Sequence, residues 1–363
     1  MAAAVKILTS PGAYIQGPGA LSVLAERCLA LNCRGAYLIL GGTARRQHGA
    51  ALAASFGRVG MACRLAEFGG ECCDREIEAH LAALDGAGVV VGVGGGKVLD
   101  TAKAVAHRAG ARVVIAPTIA STDAPCSRLA VIYREDGTFD RYLPLDANPD
   151  LVLVDTEIIA RAPARFLAAG MGDAMATWYE AEACRSKGAA ALSGGFATRG
   201  ALALARLCRD TLLEQGVQAY ADVQEQRCSE ALEAVVEANT YLSGVGFESG
   251  GLAAAHAIHN GLTRLPQTHD RLHGEKVAFG VLAHLVLCGA PVEEFRRIQG
   301  FFRAIHLPVT LAELGAGQVS DGELLAVGEA ACAAGETMEN MPAAITPAAV
   351  AVALRMADCM GRS

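Results

Sequence analysis

Residues 88–96 read GVVVGVGGG. This β-branched run stops in three glycines and gives way to a helical pattern, and it constrains the fold more than any other feature. A strand that is apolar at every position, rather than at every second one, must be covered on both faces. That is the habit of parallel sheets. Three similar runs accompany it: Ala36–Leu40 (AYLIL), ended by Gly41-Gly42; Arg112–Ala116 (RVVIA), stopped by Pro117; and Leu151–Val154 (LVLV). Segments with helical spacing separate them. The alternation predicts a doubly wound, Rossmann-like α/β domain with a mainly parallel sheet.

From about Ala160 the strand signals fade. Ala/Leu-rich segments such as Gly200–Gln215 and Ser229–Leu242 carry helical spacing, so the second half reads as an all-α domain. A length of 363 residues fits two domains. We place them at 1–160 and 161–363. No Ser/Gly-rich linker marks the boundary near Asp155–Pro163, which predicts close packing and a cleft between the domains.

Composition excludes other classes. At 52% hydrophobic residues the chain can bury a large core, and global disorder is excluded. A net charge of −7 argues against a nucleic-acid partner. No apolar run approaches the ~18 residues of a membrane span, and no basic n-region precedes an apolar stretch at the N-terminus. The expectation is a cytoplasmic protein with no membrane partner. The twelve cysteines are scattered without a C-x-x-C pair. In a reducing compartment most are expected to be small buried apolar residues.

Two segments carry candidate ligand contacts. Residues 94–103 read GGGKVLDTAK. Gly94, Gly95 and Gly96, between strand and helix, let backbone N–H groups approach a diphosphate at the positive end of a helix. Neither G-x-G-x-x-G nor G-x-x-x-x-G-K-[ST] is matched, and a tight strand-to-helix turn also explains the glycines. Lys97 can neutralise a phosphate or be a solvated lysine. Asp100 can simply favour the helix dipole. Residues 116–133 read APTIASTDAPCSRLAVIY. This polar loop follows a strand at the carboxyl edge of the sheet, where open α/β folds bind ligands. Thr118, Ser121, Asp123 and Ser127 are its polar candidates, although Ser, Thr, Asp and Pro also make turns.

Four of the nine histidines lie within eighteen residues: His256, His259, His269 and His273. HAIH is an i, i+3 pair and HDRLH an i, i+4 pair, spacings that can converge on one metal. H-E-x-x-H is absent, which disfavours a zincin protease. In GMGDA, Asp173 opens a helical segment. It is either a helix-start carboxylate or the third ligand of a site with an open position, the mark of catalytic metal.

Taken together, GGGKVLDTAK, APTIASTDAPCSRLAVIY, GMGDAMATWYEAEAC, FESGGLAAAHAIHNGLT and HGEKVAFG resemble the glycerol dehydrogenases of the iron-activated (group III) polyol and alcohol dehydrogenases. The resemblance runs in order from about Ile7 to the C-terminus. It implies a dehydroquinate-synthase-like architecture and NAD-dependent oxidation of glycerol to dihydroxyacetone, extending to 1,2-propanediol and related vicinal diols. It implies one zinc ion per subunit on Asp173, His256 and His273, which also meet the substrate, and glycerol contact by Asp123. The cofactor's diphosphate would lie on Gly94–Lys97, near Asp100. Thr118, Ser121, Ser127, Leu129 and Tyr133 would line its nicotinamide and ribose. A homo-oligomer, octameric or smaller, is also implied. Zinc rests on the resemblance alone, since an Asp-His-His set also suits Fe²⁺, Mn²⁺ or Co²⁺.

Two departures stand out. Where relatives carry an acidic residue for the adenosine ribose, Gly42 takes the place and Arg45 and Arg46 follow. Losing that carboxylate predicts weakened NAD discrimination and some use of NADP. Where relatives show two adjacent histidines, this chain has His269-Asp270. His269, or a water chain, is the expected carrier of the released proton. Rival readings are a glycerol-1-phosphate dehydrogenase, with Arg264, Arg271 and Lys276 near the histidines in sequence; a 3-dehydroquinate synthase; and a non-catalytic metal- or nucleotide-binding module.

Overall fold

The computed structural model describes residues 5–363. The first part runs β1 (Tyr14–Gly17), α1 (Leu24–Ala30), β2 (Gly35–Leu40), α2 (Gly42–Arg58), β3 (Ala62–Glu67), α3 (Asp74–Ala83), β4 (Val89–Gly94), α4 (Gly96–Ala109), β5 (Arg112–Pro117), β6 (Leu129–Tyr133), β7 (Phe139–Pro144) and β8 (Leu151–Asp155). The rest is helical: α5 (Thr156–Ala160), α6 (Ala164–Lys187), α7 (Arg199–Gln224), α8 (Glu230–Glu237), α9 (Ser243–Gly250), α10 (Ala254–Leu262), α11 (His273–Leu287), α12 (Val292–Ala304), α13 (Asp321–Ala331) and α14 (Pro347–Gly361).

Six strands form one parallel sheet in the order β1-β8-β5-β4-β2-β3, while β6 and β7 form a separate antiparallel hairpin. The four apolar runs of the sequence are the four inner strands. β1 and β3, not expected from the sequence, are the edges. β3 reads ACRLAE and is only partly covered, so its polar positions mask it.

Period-2 geometry explains why the inner strands are apolar throughout. Ala36, Leu38, Leu40, Val89, Val91, Val93, Val114 and Leu153 point into one buried cluster with α1 and α2. Tyr37, Ile39, Val90, Ile115, Val152 and Val154 point the other way, into a cluster that continues through α6, α11 and α14. Each such buried aliphatic side chain contributes roughly 1.5–3 kcal/mol. The sheet and the helical part therefore share one continuous core.

Glycines bring α4 down onto β4. A Cβ on Gly94 would lie 2.8 Å from the Val98 side chain, and one on Gly92 would lie 2.8 Å from Ala102 Cβ. The helix predicted at Gly200–Gln215 lies inside α7. The one predicted at Ser229–Leu242 continues to Gly250, with a π-helical turn at Ala238–Leu242 between α8 and α9. Such turns recur at functional sites. All twelve cysteines are free, but only six are buried, and Cys288 and Cys359 are exposed. The expectation of mostly buried cysteines therefore holds for half of them. Among the described residues no helix is long and apolar enough to cross a membrane.

Candidate active site

Asp173 sits in the middle of α6 with its side chain fully buried. His256 is in the first turn of α10 and His273 opens α11. The two imidazole Nε2 atoms converge on one oxygen, Asp173 Oδ1, at 3.3 Å and 3.1 Å. One ligand atom from each of the three residues lies within 4.8 Å of the others. Glycines allow this approach. A Cβ on Gly172 would lie 2.5 Å from the Gly274 carbonyl oxygen, and one on Gly274 would collide with the Ala169 carbonyl. Backbone therefore meets backbone where α6 crosses α11, beside Asp173 on one helix and His273 on the other.

Glu180, which the sequence reading missed, completes the arrangement. It lies seven residues beyond Asp173 on the same face of α6. That i, i+7 spacing shows a shared face but not the partner on α10. Its Oε2 is 2.6 Å from His256 Nδ1, and its Oε1 accepts from the Ala253 and His256 backbone N–H groups at 2.9 Å each. Ala253 has no side chain to cap α10, and Glu180 supplies the cap from another helix. By accepting the Nδ1 proton, Glu180 would leave the His256 Nε2 lone pair for a cation bound between it and Asp173. Burial opposes charge on both carboxylates, yet His273 and His256 hold Asp173 well below its ordinary range, and His256 lowers Glu180. Burial also opposes protonation of His256, but Glu180 and Asp173 raise its pKa well above the usual value. A buried anionic oxygen with two imidazole nitrogens, one oriented from behind by a carboxylate, is a donor set that fits a divalent cation.

Asp123 joins this centre. Its N–H donates to Asp173 Oδ2 at 3.2 Å, and its Oδ2 accepts from Ser243 Oγ at 2.9 Å. Ser243 in turn pairs with Thr177 Oγ1 at 2.7 Å. Burial and the Asp173 charge push the Asp123 pKa well up. Ser243 directly follows the π-helical turn, and Asn239 within that turn donates to Ala120 O at 3.0 Å and to Leu167 O at 3.3 Å. The turn thus fastens the loop that carries Asp123. No local sequence pattern marks this turn.

One cleft of about 720 Å³ runs from Gly95, Gly96 and Lys97 past Ser121, Asp123, Ser127, Leu129 and Tyr133 to Asp173, His256 and His273. Phe68, Val98, Ile119, Val131, Phe247 and Leu252 make its apolar walls. A Cβ on Gly96 would meet open space, and no side chain caps α4, whose Val98 N–H bonds back to Gly95 O at 3.0 Å; an open helix start of this kind suits a diphosphate. Lys97 lies 2.5 Å from Glu71 and 4.9 Å above the Tyr133 ring. Asp100 lines the cleft but also accepts the Val131 N–H at 3.1 Å, fixing β6 to α4. Gly94 and Thr118, joined by a Thr118 N–H bond to Gly94 O of 3.0 Å, are not among its lining residues.

The structure does not bring His269 to this cleft. Buried Thr268 bonds back to Leu262 O at 2.8 Å and turns the next residue outward. His269 is exposed, with Nε2 3.1 Å from Thr263 O. His259 is close to the centre: its ring packs on His273 with centroids 4.1 Å apart, and burial followed by His273 pushes its pKa well down. Arg264, Arg271 and Lys276 do not line the cleft. Its only Lys or Arg among the described residues is Lys97.

The profile of a family described as iron-containing alcohol dehydrogenase matches residues 11–156. The chain is 52% identical to a glycerol dehydrogenase of Escherichia coli, covering 98% of each. It is 53% identical to a glycerol dehydrogenase of Thermotoga maritima, covering 97% of this chain and 96% of that one. A solved probable glycerol dehydrogenase from Sinorhizobium meliloti superposes with a TM-score of 0.92 at 42% identity, covering 99% of both chains.

Proposed function

The chain belongs to the iron-containing alcohol dehydrogenase family, and on that premise we propose that it oxidises glycerol to dihydroxyacetone with NAD as hydride acceptor. 1,2-Propanediol and related vicinal diols are further candidates. The observation that carries the reading is the single cleft with an open glycine turn at one end and the Asp173, His256 and His273 set at the other. Family membership brings NAD and a divalent metal; zinc, one per subunit, is our specific proposal.

When bound, the cation would act as a Lewis acid on a substrate hydroxyl and the nicotinamide would accept the hydride from C2. The chain's own residues do the rest. Asp173, His256 and His273 hold the cation, and Glu180 fixes the His256 tautomer. Asp123, held by Ser243, orients the polyol. Phe247 and Leu252 keep water from the reacting carbon. Gly95 and Gly96 accommodate the diphosphate beside Lys97, and Leu129 and Tyr133 flank the nicotinamide half.

An uncharged polyol suits this cleft better than a phosphorylated one, because its one Lys/Arg cation, Lys97, lies at the nucleotide end and is paired with Glu71. Residues 1–160 would carry the cofactor and residues 161–363 the metal. We further propose a cytoplasmic homo-oligomer, octameric or smaller, with no nucleic-acid partner. The decisive experiment measures initial rates with glycerol, 1,2-propanediol and glycerol phosphate, using NAD and NADP, with and without chelator. Glycerol-dependent NADH formation that is lost on chelation and restored by Zn²⁺ is expected. Its absence in metal-replete protein would overturn the reading, and glycerol phosphate as the better substrate would replace it.

A further inference from the structure

We propose that Glu67, at the end of β3, is the residue that makes this chain prefer NAD over NADP. The inference rests on the dinucleotide reading of the cleft. Sequence alone predicts weakened NAD discrimination, because Gly42 leaves no carboxylate at the end of β2.

The topology decides where the adenosine half would lie. The glycine turn follows β4, β2 is its neighbour in the sheet, and β3 lies beyond β2. The nicotinamide side of the cleft, with Leu129 and Tyr133, is reached from β5 and β6. A dinucleotide whose diphosphate rests on Gly95 and Gly96 therefore extends its other half over the ends of β2 and β3, strands spaced about 4.8 Å apart. Glu67 pairs in register with Leu40, the last residue of β2, and Phe68 N–H continues the ladder to Leu40 O at 2.9 Å. Its carboxylate is thus level with the end of β2, one strand over.

The side chain fills the gap that Gly42 leaves. Glu67 Oε1 lies 3.4 Å from the position a Gly42 Cβ would occupy. The other oxygen, Oε2, pairs with Arg45 Nε at 3.4 Å. Glu67 thus keeps one carboxylate oxygen at the Gly42 gap, where a ribose hydroxyl can donate to it. It also neutralises the cation that would otherwise welcome a 2′-phosphate. Arg46 Nη1 lies 3.4 Å from the same Gly42 position, and Arg46 Nη2 donates to Thr43 Oγ1 at 3.0 Å. Removing the Glu67 charge would withdraw the ribose acceptor and free Arg45 beside Arg46, converting the gap into a phosphate site.

The test is a fluorescence titration of NADH and NADPH, without substrate, against wild type, Glu67→Gln, Glu67→Asp and Glu67→Gln/Arg46→Ala. Wild type should bind NADH about tenfold or more tighter than NADPH, and Glu67→Gln should erase or invert that ratio. Glu67→Asp, which keeps the charge, should retain the preference. Adding Arg46→Ala to Glu67→Gln should weaken NADPH selectively. Equal binding of both nucleotides by wild type, or an unchanged ratio in Glu67→Gln, would overturn the proposal. If wild type bound neither nucleotide, the dinucleotide reading would fall and the role of Glu67 with it. An intact NADH preference without glycerol turnover would count only against the substrate.

Discussion

His256 is held from both sides: Nδ1 lies 2.6 Å from Glu180 Oε2, and Nε2 lies 3.3 Å from Asp173 Oδ1. The ring thus has one nitrogen committed to a carboxylate behind it and the other directed at the ligand centre.

Glu180→Gln tests that arrangement. A glutamine can place an NH₂ donor opposite Nδ1, which moves the proton to Nε2 and blocks the lone pair a metal needs. We expect metal affinity to fall by about tenfold to a hundredfold, measured by competition with a chelator of known affinity.

His256→Ala separates the two ends of the cleft. Turnover should fall by about a thousandfold or more. NADH binding, measured by fluorescence, should change little, because the glycine turn lies at the far end of the cleft. Near-normal activity after chelator treatment would show that these residues do not hold the catalytic metal.

Ser243→Ala removes the donor that fixes Asp123 Oδ2. The carboxyl group stays in place through its backbone but loses its orientation. We expect kcat/KM for glycerol to drop about tenfold, with metal content and NADH affinity unchanged. A drop in metal content would mean that the serine supports the ligands instead.

Asp222, far from the cleft, provides a stability marker. Burial works against its charge, but Ser229, Gln218 and Arg227 donate to it and hold its pKa below the ordinary 3.8. A group depressed on folding contributes stability that is present above its unfolded pKa and lost as pH falls through the folded one. The stability gap between wild type and Asp222→Asn, read from denaturation midpoints, should therefore be full near neutral pH and narrow as pH falls below about 4 and on through the depressed folded value.

The sequence announced those parts of the molecule that local chemistry determines. β2, β4, β5 and β8 are legible because two-sided burial keeps charged residues to their ends, as Arg112 in β5 and Asp155 in β8. Asp173, His256 and His273 stand out through their glycine-flanked motifs and their resemblance to a family. β3 was missed because an edge strand keeps polar residues that break the pattern. Glu180 and Ser243 were missed because their roles depend on how α6, α9 and α10 pack, which spacing along one helix does not show. Glu67 is the clearest case. The sequence shows a carboxylate missing after β2, and only the lateral order of the strands shows another one beside the gap. His269 lies outside the cleft for the converse reason, since proximity along the chain to His273 says nothing about which way a turn points.

The contact between Gly172 and Gly274 separates two tasks that enzymes often entangle. Ligand spacing depends there on two main chains in contact, whereas the apolar walls Phe247 and Leu252 of the cleft lie outside that crossing. Reshaping those walls leaves the frame of the metal centre untouched. Substrate choice can therefore drift, or be redesigned, while the ligand geometry stays as it is.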